Sequence, residues 1–110
     1  MSKTIVQINF EYYMPQAEYE AICEQAAQSI AQVEGVVWKI FIIKEATQEA
    51  GGLYLFESVA AAEAYLNGPI ITGLSQHPGI RNVSVKLFDF LEVPTLVTHG
   101  PVELPVLLES

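Results

Sequence analysis

Positive charge is scarce in this chain. Five lysines and arginines stand against thirteen aspartates and glutamates, giving a formal net charge of −8. Nucleic acid is therefore not an expected partner, because its phosphates have to be met by Lys and Arg. Anionic membrane surfaces are disfavoured for the same reason. Cysteine is nearly absent too: Cys23 stands alone and has no internal disulfide partner, so a cytoplasmic location is the default expectation. No apolar run reaches the roughly 18 residues that a bilayer span needs. The opening stretch MSKTIVQINFEYYM lacks a signal-peptide pattern, since Gln7, Asn9 and Glu11 break its short apolar run. His77 and His99 lie far apart with no CxxC or HExxH pattern beside them, so no metal site is expected. Neither a glycine-rich phosphate loop nor a Ser-His-Asp arrangement can be read from the spacing.

Apolar side chains, by contrast, are abundant. They make up 51% of the 110 residues, and charged residues only 16%. A chain of this length forms one domain and buries about two thirds of its unfolded surface. So much apolar material implies further burial at a subunit interface.

Thr4–Tyr12 alternates as a strand does: Val6, Ile8, Phe10 and Tyr12 on one side, Ile5, Gln7, Asn9 and Glu11 on the other. A helix is expected to start at Pro15 and to run on Tyr19, Ile22, Cys23, Ala26, Ala27, Ile30 and Val33, with Gly35 as its left-handed cap. Val36–Ile43 and Leu53–Phe56 read as the two strands of a hairpin. Glu45–Gly52 reads as its turn, with Gly51 and Gly52 supplying turn chemistry. Ser58 offers an N-cap to a helix over Val59–Leu66, and Asn67-Gly68-Pro69 ends it. Another helical turn is expected within Pro69–Gln76 and a last strand over Ile80–Leu91.

The order strand, helix, strand, strand, helix, strand predicts an α+β, ferredoxin-like βαββαβ fold: a four-stranded antiparallel sheet with its helices on one face. Apart from Lys39, every residue of Val36–Ile43 is apolar, which a strand covered on both faces requires. The protomer's helices cover one face only. A second copy, sheet against sheet about a two-fold axis, is the expected cover for the other. Residues 1–91 would form this α/β-barrel domain. Residues 92–110, with Pro94, Pro101 and Pro105 among leucines and valines, would form an extended C-terminal arm packed on the domain or on the partner subunit.

Several stretches resemble the YdhR-like monooxygenases of the dimeric α/β-barrel superfamily: Glu34-Gly35 followed by Trp38-Lys39; Glu49-Ala50-Gly51-Gly52-Leu53-Tyr54-Leu55-Phe56; Ala64-Tyr65-Leu66; and Val85-Lys86-Leu87-Phe88-Asp89. The resemblance covers about residues 4 to 96. It implies a homodimer of ferredoxin-like protomers, and a monooxygenase that uses no cofactor and acts on a small phenolic or quinol-like aromatic.

Such an enzyme must bind an electron-rich phenol in a dry pocket, promote its deprotonation and stabilise the anion. Asn9 can hold an oxygen through its amide, Trp38 offers a flat wall and an N–H donor, and His77 is a candidate base. Tyr54, Phe41 and Phe56 supply aromatic wall. Lys39 either snorkels to an edge, pairs with a carboxylate such as Asp89, or stabilises a substrate anion. Two other readings remain open at this level: a non-catalytic module that binds a hydrophobic small molecule or serves as a dimeric scaffold, and a haem-degrading monooxygenase.

Overall fold

The computed structural model describes residues 3–103. Its elements are β1 (Thr4–Tyr12), α1 (Gln16–Ile30), β2 (Val36–Lys44), β3 (Glu49–Phe56), α2 (Val59–Leu66), α3 (Pro69–Gln76), β4 (Ile80–Phe88) and α4 (Glu92–Val97). The strands form one antiparallel sheet in the order β2-β3-β1-β4. This is the ferredoxin-like βαββαβ topology that the order of elements predicts. Among the described residues, no helix is long and apolar enough to cross a membrane.

One face of the sheet carries the core. Val6, Ile8, Phe10 and Tyr12 of β1 and Tyr54 and Phe56 of β3 pack against Tyr19 and Ile30 of α1, Ala62 and Tyr65 of α2 and Ile71 of α3. The alternation in β1 thus fixes which side the helices cover. The Ser58 hydroxyl accepts the Ala61 N–H at 3.1 Å, capping α2 as expected.

Four expectations are corrected. Helix α1 stops at Ile30, so Gly35 does not cap it. With φ +90°, Gly35 turns the chain into β2 beside α2, where an added Cβ would lie 2.4 Å from Ala61 Cβ. Secondly, Gly51 and Gly52 are not in the turn. Strand β3 begins at Glu49, and the glycines pair with Asn9 and Ile8 on one side and with Ile42 and Phe41 on the other. The left-handed turn residue is Gln48, at φ 53°, after one 3-10 turn over Glu45–Thr47. Thirdly, β4 ends at Phe88 rather than at Leu91. Finally, the stretch after it is not wholly extended: Pro94 lies in the first turn of α4, where its missing N–H costs nothing.

The second face presents Ile5, Gln7, Asn9 and Glu11 of β1, Trp38, Ile40 and Ile42 of β2, Leu53 and Leu55 of β3, and Lys86 and Phe88 of β4, as the cross-strand pairing requires. Near one end of it the Trp38 Nε1–H donates to the Pro101 carbonyl at 2.7 Å. Leu55, the register partner of Trp38, is fully buried. Farther along the same strand Ile40 remains half exposed, as does Phe88 at the opposite edge. The rest of the predicted arm, residues 104–110, lies outside the described residues.

Candidate active site

Between the sheet and the helices lies a cavity of about 200 Å3. Its floor is Ile8 and Phe10 of β1, Lys39 and Phe41 of β2, and Gly51, Gly52 and Tyr54 of β3. Tyr19 and Cys23 of α1, Tyr65 of α2 and the α3–β4 region through His77 close it above. Two features of the chain make this space. Lys39 and Phe41 point to the helix side because the β2–β3 register shifts between Val36 and Trp38. Gly52 adds nothing over the floor, so Lys39 can lie across it: a Cβ there would fall 2.5 Å from Lys39 Cε.

Among the described residues, the lysine is the only Lys or Arg lining this cavity. Its Nζ sits 3.8 Å from the Phe41 ring centroid and 4.7 Å from that of Tyr54. Burial lowers its pKa to about 8, while the Cys23 thiol acts weakly in the opposite direction. The pairing with Asp89 that the sequence allowed is absent, because Asp89 is exposed beyond the end of β4.

Behind the cavity the Tyr54 and Tyr65 hydroxyls meet at 2.7 Å. Burial raises both their pKa values above the ordinary tyrosine range, and that of Tyr19 as well. All three are neutral phenols near pH 7. His77 accepts the Gly79 N–H on Nδ1 at 2.9 Å. In the neutral ring the proton therefore sits on Nε2, assigned from that hydrogen bond. Held this way His77 is a donor, and it would have to give up the Gly79 bond to accept a proton on Nδ1.

The predicted site residues divide between the two faces. Lys39, Phe41, Tyr54 and His77 all line the cavity. Phe56 stands behind it, fully buried, with its ring 5.7 Å from Tyr54 and 5.5 Å from Tyr65. Trp38 and Asn9 lie on the opposite face. Asn9 Oδ1 accepts from Gln7 Nε2 at 2.8 Å and borders a separate recess of about 390 Å3 with Glu11, Asn82 and Ser84. That recess is larger and more polar, and its Glu11 carboxylate is already engaged, accepting from Tyr13 at 2.7 Å and from Asn82 at 2.8 Å. The smaller cavity is apolar, lies between sheet and helices, and contains the desolvated Lys39 amine, which makes it the candidate ligand site. Sequence reading missed Tyr19, Cys23 and Tyr65 as lining residues. The signal was present in α1, where Tyr19 and Cys23 are four apart on the inner face.

Among the described residues, no group of three or more His, Cys, Asp or Glu is placed to hold a metal ion. The family model described as "Putative mono-oxygenase ydhR" matches residues 5–101. The chain belongs to this ydhR family. Its membership supports a monooxygenase, and so an oxidoreductase, role. Among solved structures similar to this ydhR-family chain is SnoaB, a cofactor-independent oxygenase from Streptomyces nogalater. It shares 14% identity at a TM-score of 0.69, over 84% of this chain and 96% of that one. Rv0793 from Mycobacterium tuberculosis shares 16% at 0.65, over 83% and 97%. The heme-degrader MhuD from the same organism, with two hemes in its active site, shares 22% at 0.58, over 79% and 95%. At these identities the likeness establishes the fold. No curated protein matches the chain.

Proposed function

We propose that this chain is a monooxygenase that oxidises a small phenolic or quinol-like aromatic with O2, the substrate itself supplying the electrons. The cavity supports this reading, and the observation that carries it is an amine of lowered pKa in an apolar, aromatic-walled space. An engineered apolar cavity of about 150 Å3 takes up benzene. The space here suits one or two rings. Lys39 in its neutral form takes the phenolic proton. The resulting ammonium then stays beside the phenolate in a site of low dielectric, where the pair attracts strongly. His77, through Nε2–H, donates to a substrate oxygen. The phenolate is electron-rich enough to reduce O2. One oxygen atom bonds to the ring carbon, the O–O bond breaks, and the second atom leaves as water. A phenol with a free ring C–H thus becomes a quinone, four electrons passing from the ring to O2.

The homodimer belongs to the same proposal. A second copy would cover Ile40, Ile42 and Phe88 on the second face, with residues 92–110 forming an arm at its margin. The cytoplasmic setting expected from the single cysteine completes the picture. Oxygen uptake with a panel of one- and two-ring hydroquinones and naphthols tests the proposal. Consumption above background that disappears in Lys39→Met is expected. Binding without consumption would make the protein a non-catalytic carrier of the same ligands. A Soret shift on haem titration would turn the reading towards haem degradation instead.

A further inference from the structure

Lys39 has the setting of a nucleophile as well as that of a base. Among the described residues its Nζ has no hydrogen-bond or ion-pair partner, and it lies over the Phe41 and Tyr54 rings. The titratable groups that line the cavity with it are Tyr19, Cys23, Tyr54, Tyr65 and His77, and none is a carboxylate. An ammonium held this way has no anionic partner, and burial brings its deprotonated form closer to reach than in a free lysine. A desolvated amine in an apolar pocket is the usual arrangement for attack on a carbonyl.

We propose that Lys39 is a covalent capture site for small aromatic aldehydes. The Nζ lone pair forms a C–N bond to the carbonyl carbon, and the C=O π pair moves to oxygen. The amine's two hydrogens leave with that oxygen as water while the C=N bond forms. One imine and one water result, with no net oxidation or reduction. The ligand class follows from the walls: Phe10, Tyr19, Phe41 and Tyr54 line a volume of about 200 Å3, enough for a single ring. The monosubstituted carbonyl of an aldehyde reaches the lysine with the least crowding. Lys3, Lys44 and Lys86 are the chain's other lysines, and none of them lines this cavity.

The test treats the whole protein at pH 7 with benzaldehyde and sodium cyanoborohydride, which fixes any imine as a benzylamine. Peptide mapping by mass spectrometry then locates the label. Lys39 should carry at least about tenfold more than Lys44 or Lys86, because burial eases its deprotonation and the apolar walls hold the ring beside it. Anisole, which has the ring but no carbonyl, should suppress labelling at Lys39 and leave the other lysines unchanged. Lys39→Arg should lose the cavity label. Should that variant fail to fold, the wild-type map and the anisole competition still decide. Label spread evenly over Lys3, Lys44 and Lys86 with Lys39 no richer, or Lys39 label indifferent to anisole, would overturn the proposal. Oxygen consumption plays no part in this readout, so its outcome is independent of the oxidation chemistry.

Discussion

The stem of Lys39 lies in the place that a side chain on Gly52 would occupy. A Cβ at Gly52 would fall 2.5 Å from Lys39 Cε and 3.4 Å from its Nζ. Gly51 is bare for a different reason: a Cβ there would meet the Ile8 carbonyl oxygen at 1.9 Å. The first obstacle is the far end of a flexible chain, and the second is backbone.

The two glycines should therefore respond differently to alanine. Gly52→Ala should fold, at a cost of about 1–2 kcal/mol, with Lys39 displaced and its chemistry weakened. Gly51→Ala should lose about 3 kcal/mol or more, since neither strand can retreat without breaking pairing. Urea denaturation of both variants checks this. Equal losses would mean that the lysine does not fill the space over Gly52.

Stability should change with pH through Lys39. Its folded pKa is about 8, and its unfolded value is about 10.4. Below pH 8 the amine is charged in both states, and the folded state bears the full cost of burying it. Between the two values the unfolded chain binds more protons, so stability rises with pH, by an amount on the order of 3 kcal/mol over the window. The buried tyrosines act the other way. Their raised folded pKa values stabilise below about pH 10, and that contribution fades above it. Lys39→Met separates the effects. It should be more stable than the parent at pH 7, and the gap should close towards pH 10. A gap that stays constant would show that the amine is not desolvated.

Tyr54 and Tyr65 satisfy each other in a buried pair. Changing either to Phe leaves the other hydroxyl without its partner, at a cost of about 1–3 kcal/mol. Removing both hydroxyls leaves nothing unpaired, so the double variant should lose less than the sum of the single losses. A denaturant double-mutant cycle measures the difference. Strict additivity would show that the hydroxyls are not coupled.

The bond between Trp38 and Pro101 can be followed optically. Trp38 is the chain's only tryptophan, and its Nε1–H donates to the Pro101 carbonyl. Truncation after Phe90 should shift its emission to longer wavelength and lower stability by about 1 kcal/mol for the lost bond, with more for any apolar surface uncovered at Leu55. Unchanged emission would show that the indole does not depend on the tail.

Much of this arrangement is legible in the sequence, and the rest fails for identifiable reasons. The alternation of Val6, Ile8, Phe10 and Tyr12 correctly places the core face. Ser58 and the alanines after it correctly place α2. Period alone also groups Trp38 with Ile40 and Ile42. It would put Val36 with them, yet Val36 packs on the core side because the bulge between Val36 and Trp38 reverses parity. Gly51-Gly52 mimics a turn because local sequence does not reveal that one glycine faces β1 backbone and the other a lysine. The cavity is a long-range property. Lys39, Tyr54, Tyr19 and His77 come from four separate elements or loops, and no spacing brings them together. That is also why Asn9 and Trp38, well suited in chemistry, could be grouped with residues on the other side of the sheet.

The proposed dimer supplies the last prediction. Ile40 is 50% exposed on the second face, and Val59 is 41% exposed on α2. Both are aliphatic and accessible, so lysine at either position leaves the described core intact. Only Ile40 lies where a second copy would sit. Light scattering should report two chains for the parent and for Val59→Lys, and one for Ile40→Lys, because an unpaired ammonium buried at a dry sheet-to-sheet contact costs several kcal/mol. The single-chain Ile40→Lys protein should keep its fold, as judged by circular dichroism, since the cavity and core are on the opposite side of the sheet. A parent that runs as one chain at micromolar concentration would remove the second copy from the proposal. The cavity of Lys39, Phe41, Tyr54 and His77 lies on the helix side of the sheet, away from that contact.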